Sequence, residues 1–192
     1  HMIRALDSAK GIMQRIDMIN ENLKQQGLIK TPLKVGVGIG SGTVVVGNMG
    51  SSQRFDYTVL GDTVNLVARL ESMTKQYGVD ALVTAELARG AEKNMSNHCV
   101  EIDRVRVKGR AEVTPIYAFL KDPVIEDVRS LVNNFTAEYR MLNLAEARKA
   151  LLSLREISDF SSYSEVMLER LDQMEVTPPL QPWDGVFVAD RK

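Results

Sequence analysis

The chain predicts an α+β fold, with helices on one face of a sheet and an all-helical appendage behind it, on three observations. Short β-branched or alternating runs recur at residues 34–39, 43–46, 55–60, 80–83, 100–107 and 113–120. Segments of helical period lie among them, at residues 3–26, 64–77 and 84–91. After Asp122 and Pro123 the strand pattern gives way to helical segments at 128–142, 144–157 and 163–174.

In the first segment Ile3, Ala5, Ile12, Ile16, Ile19 and Leu23 recur near the helical period and Gly27 stops the pattern, so an amphipathic helix packs on the rest of the chain. Residues 34–39 alternate with Gly, Ser41 and Gly42 turn the chain, and residues 43–46 are β-branched; together they predict a hairpin whose Gly side lets another backbone come close. Residues 55–60 form a short strand leading into a helix. Gly61 and Asp62 turn there and offer Asp62 as the N-cap, Val64, Val67, Ala68 and Leu70 keep helical spacing, and Gly78 ends the pattern. Thr84 caps a further helix. Residues 100–107, the turn Lys108-Gly109-Arg110 and residues 113–120 read as a second hairpin, with Tyr117 and Phe119 on one face.

The run from Arg54 to Arg69 is the most informative. Asn65 and Arg69 stand four residues apart on one helix and share a face. Arginine offers a planar fork of donors suited to phosphoryl oxygens, and asparagine adds a donor and an acceptor for a hydroxyl. Taken alone, an Asn and an Arg at this spacing describe a solvated helix face, with Arg69 paired to Glu71 or another acid. The flanks change that. With the glycine-alternating run from Leu33 to Gly50 upstream and the segment from Val105 to Arg110 downstream, the chain resembles the catalytic domain of class III nucleotidyl cyclases, from roughly Leu33 to Phe119.

The resemblance implies a partial ferredoxin-like cyclase domain over residues 3–121; beyond it the segment 122–176, through Tyr139 to Leu152, separately resembles a tetratricopeptide helix pair, and residues 177–192 read as a Pro-rich extended tail in which Trp183 is a candidate packing residue. It implies conversion of a nucleoside triphosphate to its 3′,5′-cyclic monophosphate and pyrophosphate. Two catalytic residues carry over: Asn65 for the ribose and Arg69 for the reacting phosphate. Two substrate-binding residues also carry over: Thr58 for the base and Lys108 for the polyphosphate. Threonine at position 58 tilts the substrate to ATP, with guanylyl cyclase the lesser alternative. The two Mg²⁺ or Mn²⁺ ions of the family are held by two aspartates in motifs that precede the first helix of this chain. Asp7 and Asp17 lie inside that helix and Asp56 in a strand the family uses structurally, so none of them is assigned to metal. The expectation is a piece of an adenylyl cyclase that is inactive alone, forms a homodimer through the cyclase domain, and exchanges strands where its sheet edges are exposed. The alternative is a degenerate cyclase-like dimerisation or binding module.

The 192 residues suffice for one ordinary domain and a small appendage; 44% are hydrophobic and 26% charged, as in soluble globular proteins. His1-Met2 reads as a cloning scar. No apolar run approaches a membrane span, and the single Cys99 suits a reducing, cytoplasmic setting. Residues 1–120 carry a net charge of +3 and residues 121–192 of −4, without a basic stripe, which argues against nucleic acid as partner. Gly36, Gly38, Gly40 and Gly42 alternate without the spacing of a dinucleotide or P-loop fingerprint.

Overall fold

The computed structural model describes residues 1–51, 54–90, 93–107 and 112–189. Among these described residues, seven helices and seven strands follow in the order α1 (Met2–Gln25), β1 (Val37–Ile39), β2 (Val45–Ser51), β3 (Arg54–Leu60), α2 (Asp62–Tyr77), β4 (Ala81–Thr84), α3 (Ala85–Gly90), α4 (Lys93–Ser96), β5 (Cys99–Val107), β6 (Val113–Phe119), α5 (Glu126–Arg140), α6 (Leu144–Arg155), α7 (Ser158–Val176) and β7 (Phe187–Ala189). Five strands form one sheet in the order β1-β4-β6-β5-β7, while β2 and β3 form a separate two-stranded arm.

Caps set several of these boundaries. Helix α1 ends in a Schellman motif, with Gly27 at φ 68° and the Leu28 and Gly27 amides donating to Leu23 O (2.9 Å) and Lys24 O (3.0 Å). Thr84 Oγ1 accepts from the Leu87 amide at 3.4 Å, as its capping position predicts. At the start of α2 the N-cap is Gly61, one residue ahead of the expected Asp62, which instead sits in the first turn where a carboxylate favours the helix dipole.

The expected hairpin of residues 34–46 does not form. Strand β1 pairs in parallel with β4, Gly38 opposite Leu82, and β2 pairs antiparallel with β3 from Val45↔Leu60 to Ser51↔Arg54. Alternation identifies strands but not their partners. Here the seven-residue β3 offers β2 a long antiparallel partner, and α2 carries the chain back across the sheet so that β4 runs parallel to β1.

The α+β class stands, but the helices cover both faces of the sheet rather than one. Leu6, Ala9 and Met13 of α1 pack with Leu87 and Ala88 of α3 against Ala81, Val83, Cys99 and Phe119. On the other face Leu66, Leu70, Met73 and Tyr77 of α2 join Leu82, Ile102, Val105 and Ile116. The same core continues without a break into Val132, Phe135, Tyr139, Leu151, Leu154, Tyr163, Met167 and Leu171 of α5, α6 and α7. Period-2 alternation along β4 and β6 splits their side chains between the two layers, and each apolar layer has to be covered. The Pro-rich tail is not left apart from the domain. It returns to the sheet as β7, parallel to β5, with Phe187 opposite Val105, and Trp183 packs edge-on to Tyr139 at 6.0 Å between centroids.

Candidate functional site

Helix α2 presents three stripes. Leu66, Leu70, Met73 and Tyr77 are buried in the core. A second stripe, Thr63, Val67, Glu71 and Thr74, lies on the glycine face of the segment that includes β1. A Cβ placed on Gly38 would stand 2.8 Å from Glu71 N, and one on Gly40 would stand 2.6 Å from Val67 Cγ2 and 3.0 Å from Thr84 Cγ2. Gly36 and Gly42 meet Thr74 and Thr63 in the same way. The close approach inferred from alternating glycines is therefore made by α2 itself, along most of its length.

Asn65 and Arg69 form the third stripe, which is exposed. They stand one turn apart, beyond the reach of β1 and of the core. No hydrogen bond or ion pair commits either side chain among the described residues, and the Glu71 carboxylate accepts from Ser72 Oγ at 3.4 Å instead of pairing with Arg69. The Val64 and Asn65 amides both donate to Gly61 O, at 3.1 and 3.3 Å, so this stripe begins in the first, tightly held turn of the helix. Its pose is held by the two packed stripes, since a helix packed on two sides cannot rotate about its axis.

Thr58 lies on β3, half-buried, opposite Gly47 of β2, and the strand runs directly through Gly61 into α2. The β2–β3 arm exposes Val45 (65%), Tyr57 (77%) and Leu60 (55%). A two-stranded ribbon with apolar side chains in water is marginal by itself. Lys108 lies outside the described residues; β5 leads to it, ending at Val107. Among the described residues no group of three or more His, Cys, Asp or Glu could hold a metal ion. Asp17 pairs with Lys121 across α1 and the end of the sheet, which gives that carboxylate a structural role.

Sequence reasoning missed a polar centre at the far end of α2. Asp103 is 1% exposed, yet its Oδ2 accepts from Tyr77 Oη at 2.6 Å and from Arg170 Nη1 at 2.7 Å, while Oδ1 accepts from the Arg104 amide at 2.7 Å. The Arg170 guanidinium lies 3.9 Å from the Phe187 ring centroid and 4.9 Å from that of Tyr77. Burial, reinforced by the Asp103 charge, pushes the Tyr77 hydroxyl well above its ordinary range, so it stays a donor. Burial works against the Arg170 charge, but Tyr77 and Asp103 more than offset it and raise its pKa. An irregularity in the β5–β6 register between Glu101 and Asp103 breaks the alternation that would have marked Asp103 as inward.

Comparison with known proteins gives the family. The family model for the adenylate and guanylate cyclase catalytic domain matches residues 4–121. An adenylate cyclase of Anabaena cylindrica is 41% identical over 116 residues, 59% of this chain and 23% of that protein. Adenylate cyclase 1 of Rhizobium meliloti (strain 1021) is 34% identical over 120 residues, 61% of this chain and 17% of that one. The chain thus spans less than a quarter of the length of these curated relatives. The crystal structure of the adenylyl cyclase CyaB from P. aeruginosa matches with a TM-score of 0.48 and 28% identity, over 64% of this chain and 61% of that one.

Proposed function

Because this chain belongs to the adenylate and guanylate cyclase family, we propose that it is part of an adenylyl cyclase that turns ATP into 3′,5′-cyclic AMP and pyrophosphate, and that it supplies the base-, ribose- and phosphate-binding half of a shared site. One observation carries the reading: Asn65 and Arg69 stand on one exposed face of α2, a turn apart and uncommitted to other groups.

In this reading Asn65 orients the ribose so that its 3′-oxygen faces the α-phosphorus. That oxygen forms the new P–O bond as its proton leaves, the bond to the β-phosphate bridging oxygen breaks, and pyrophosphate departs. The Arg69 guanidinium sits where charge builds on the reacting phosphate, so it holds the transition state more tightly than the ground state. Thr58 reads the adenine, and Lys108 takes the polyphosphate. The family's Mg²⁺ or Mn²⁺ ions are assigned to aspartates outside the described residues. We read the partner as a second cyclase subunit docked on the β2–β3 arm, whose exposed Val45, Tyr57 and Leu60 need cover, with strand exchange a further means of association. The helices α5 and α6 are read as a tetratricopeptide-like pair, and a reducing cytoplasm as the site of action. No helix among the described residues is long and apolar enough to cross a membrane.

The same arm supports a second reading, a cyclase-like dimerisation module without catalysis. One experiment separates the two. The 192-residue chain is mixed with a family subunit that carries both metal aspartates but has Ala at its own Asn and Arg positions, and cyclic AMP is measured with Mn²⁺ and ATP. Each chain alone is expected to be inactive and the mixture active. A mixture that dimerises but stays silent selects the module, and robust cyclisation by the isolated chain sinks the half-site assignment.

A further inference from the structure

Helix α2 is gripped at both ends. Its stripe from Thr63 to Thr74 rests on Gly36, Gly38, Gly40 and Gly42, and at its C-terminal end the Tyr77 hydroxyl donates to Asp103 at 2.6 Å. We propose that Asp103, Arg170 and Tyr77 are positioning residues for the α2 site, a clamp through which the C-terminal helices and tail set the pose of Asn65 and Arg69. The link to catalysis rests on the cyclase reading above; the clamp itself does not.

Four segments meet at this point. Asp103 belongs to β5, Tyr77 to α2, Arg170 to α7 and Phe187 to β7, and the guanidinium is stacked between the rings of Tyr77 and Phe187 while paired to Asp103 at 2.7 Å. Next in the chain, Gly78 at φ 63° lets α7 press on the end of α2: a Cβ there would stand 2.6 Å from Ser162 O and 3.0 Å from Tyr163 N. Tyr163 in turn donates to Ile102 O at 2.9 Å, tying α7 to β5 beside Asp103.

The chemistry of the centre points to orientation rather than adhesion. A buried ion pair returns little net stability, because desolvating both ions cancels most of their attraction, and apolar residues of similar volume hold a core together as well. What the pair and the phenol supply is direction: charge-assisted bonds at fixed angles from three elements. Tyr77 follows Arg69 by eight residues and Asn65 by twelve, about 12 and 18 Å along the axis. The glycine face meets α2 from Thr63 to Thr74 and Tyr77 anchors the next turn, so loosening that end lets the helix that carries Asn65 and Arg69 shift on the glycine face. Misplacement of reacting groups by about 1 Å is enough to cost on the order of 10²-fold.

The test uses the 192-residue chain and the Asp103→Leu/Arg170→Met double substitution, which removes the charges together and leaves neither buried alone. Melting is followed with amide hydrogen exchange across residues 62–77, and kcat and KM for ATP are read in the two-subunit mixture. The expected result is a melting temperature close to that of the parent chain, exchange at residues 65–69 at least tenfold faster, and kcat down at least tenfold with KM within threefold. Tyr77→Phe, which deletes one hydroxyl and keeps the ion pair, guards against loss of folding and should move exchange and kcat the same way by about threefold. Unchanged exchange in both variants overturns the clamp, and so does faster exchange with unchanged kcat. Faster exchange together with a silent unsubstituted mixture upholds the clamp and fails the cyclase reading instead.

Discussion

Replacing Gly38 by Ala tests whether the glycine face of β1 sets the site. The added methyl carbon would stand 2.8 Å from Glu71 N and 3.2 Å from Glu71 Cβ, and Val67 O lies closer still. Ordinary contact begins near ~3.5 Å, so α2 has to retreat by about 0.7 Å or more, and the obstacle is helix backbone that no rotamer change can clear. Overpacking of this kind costs roughly 1–3 kcal/mol, which for a chain of this size lowers the melting temperature by about 2–12 °C. The retreat carries Asn65 and Arg69 with it, so activity in the two-subunit mixture should fall by about 10²-fold, more than the loss of folded protein explains. Gly11→Ala is the matched control. Gly11 lies exposed within α1 with nothing inside 4 Å of a new Cβ, and the substitution should stabilise by about 0.5–1 kcal/mol. Differential scanning calorimetry of both variants decides. Equal melting temperatures for Gly38→Ala and the parent chain, with activity retained, would refute the close approach of α2 and the reasoning built on it.

Three further outcomes are expected. Arg69→Ala should reduce turnover in the complemented mixture by roughly 10²–10³, about 3–4 kcal/mol of transition-state stabilisation, with folding unaffected because the side chain is exposed; unaltered turnover removes Arg69 from the site. Glu101 is partly buried, which raises its pKa, but hydrogen bonds from Arg104 (3.0 Å) and Tyr117 (3.0 Å) and the Arg140 charge at 2.8 Å lower it below the ordinary 4.5 on balance. Its contribution to stability is therefore complete above pH 4.5 and lost as pH falls through the lower, folded value, so melting curves of Glu101→Gln and the parent chain should converge on acidification, and a gap that widens contradicts this sign. Burial pushes the Cys99 thiol up to about 12, and iodoacetamide at pH 8 should leave the native chain unmodified while alkylating the urea-unfolded one, as read by mass spectrometry.

Local chemistry made much of this molecule readable. The span of α2, its stop at Gly78, the Thr84 cap, the β5–β6 pair and the three C-terminal helices all follow from period, capping residues and glycine, because these signals act over a few residues. Asn65 and Arg69 were visible for the same reason, since four residues on a helix fix a shared face. Pairing was not. Nothing in residues 34–46 says that β1 takes β4 and that β2 takes β3, because period 2 is the same for every partner. Phe187 reads as part of a Pro-rich tail, and only the open edge of β5 makes it a strand.

The sequence by itself determined most of the elements, the family motif and the shared face of Asn65 and Arg69. The tertiary structure decided which strands are neighbours, that helices lie on both sheet faces, and that Asp103, Tyr77 and Arg170 meet. Those three residues are separated by 26 and 67 positions, and the Asp103 to Arg170 contact is closed by packing alone. Local signals fall off within a few residues, whereas burying an ion pair depends on every layer around it being in place.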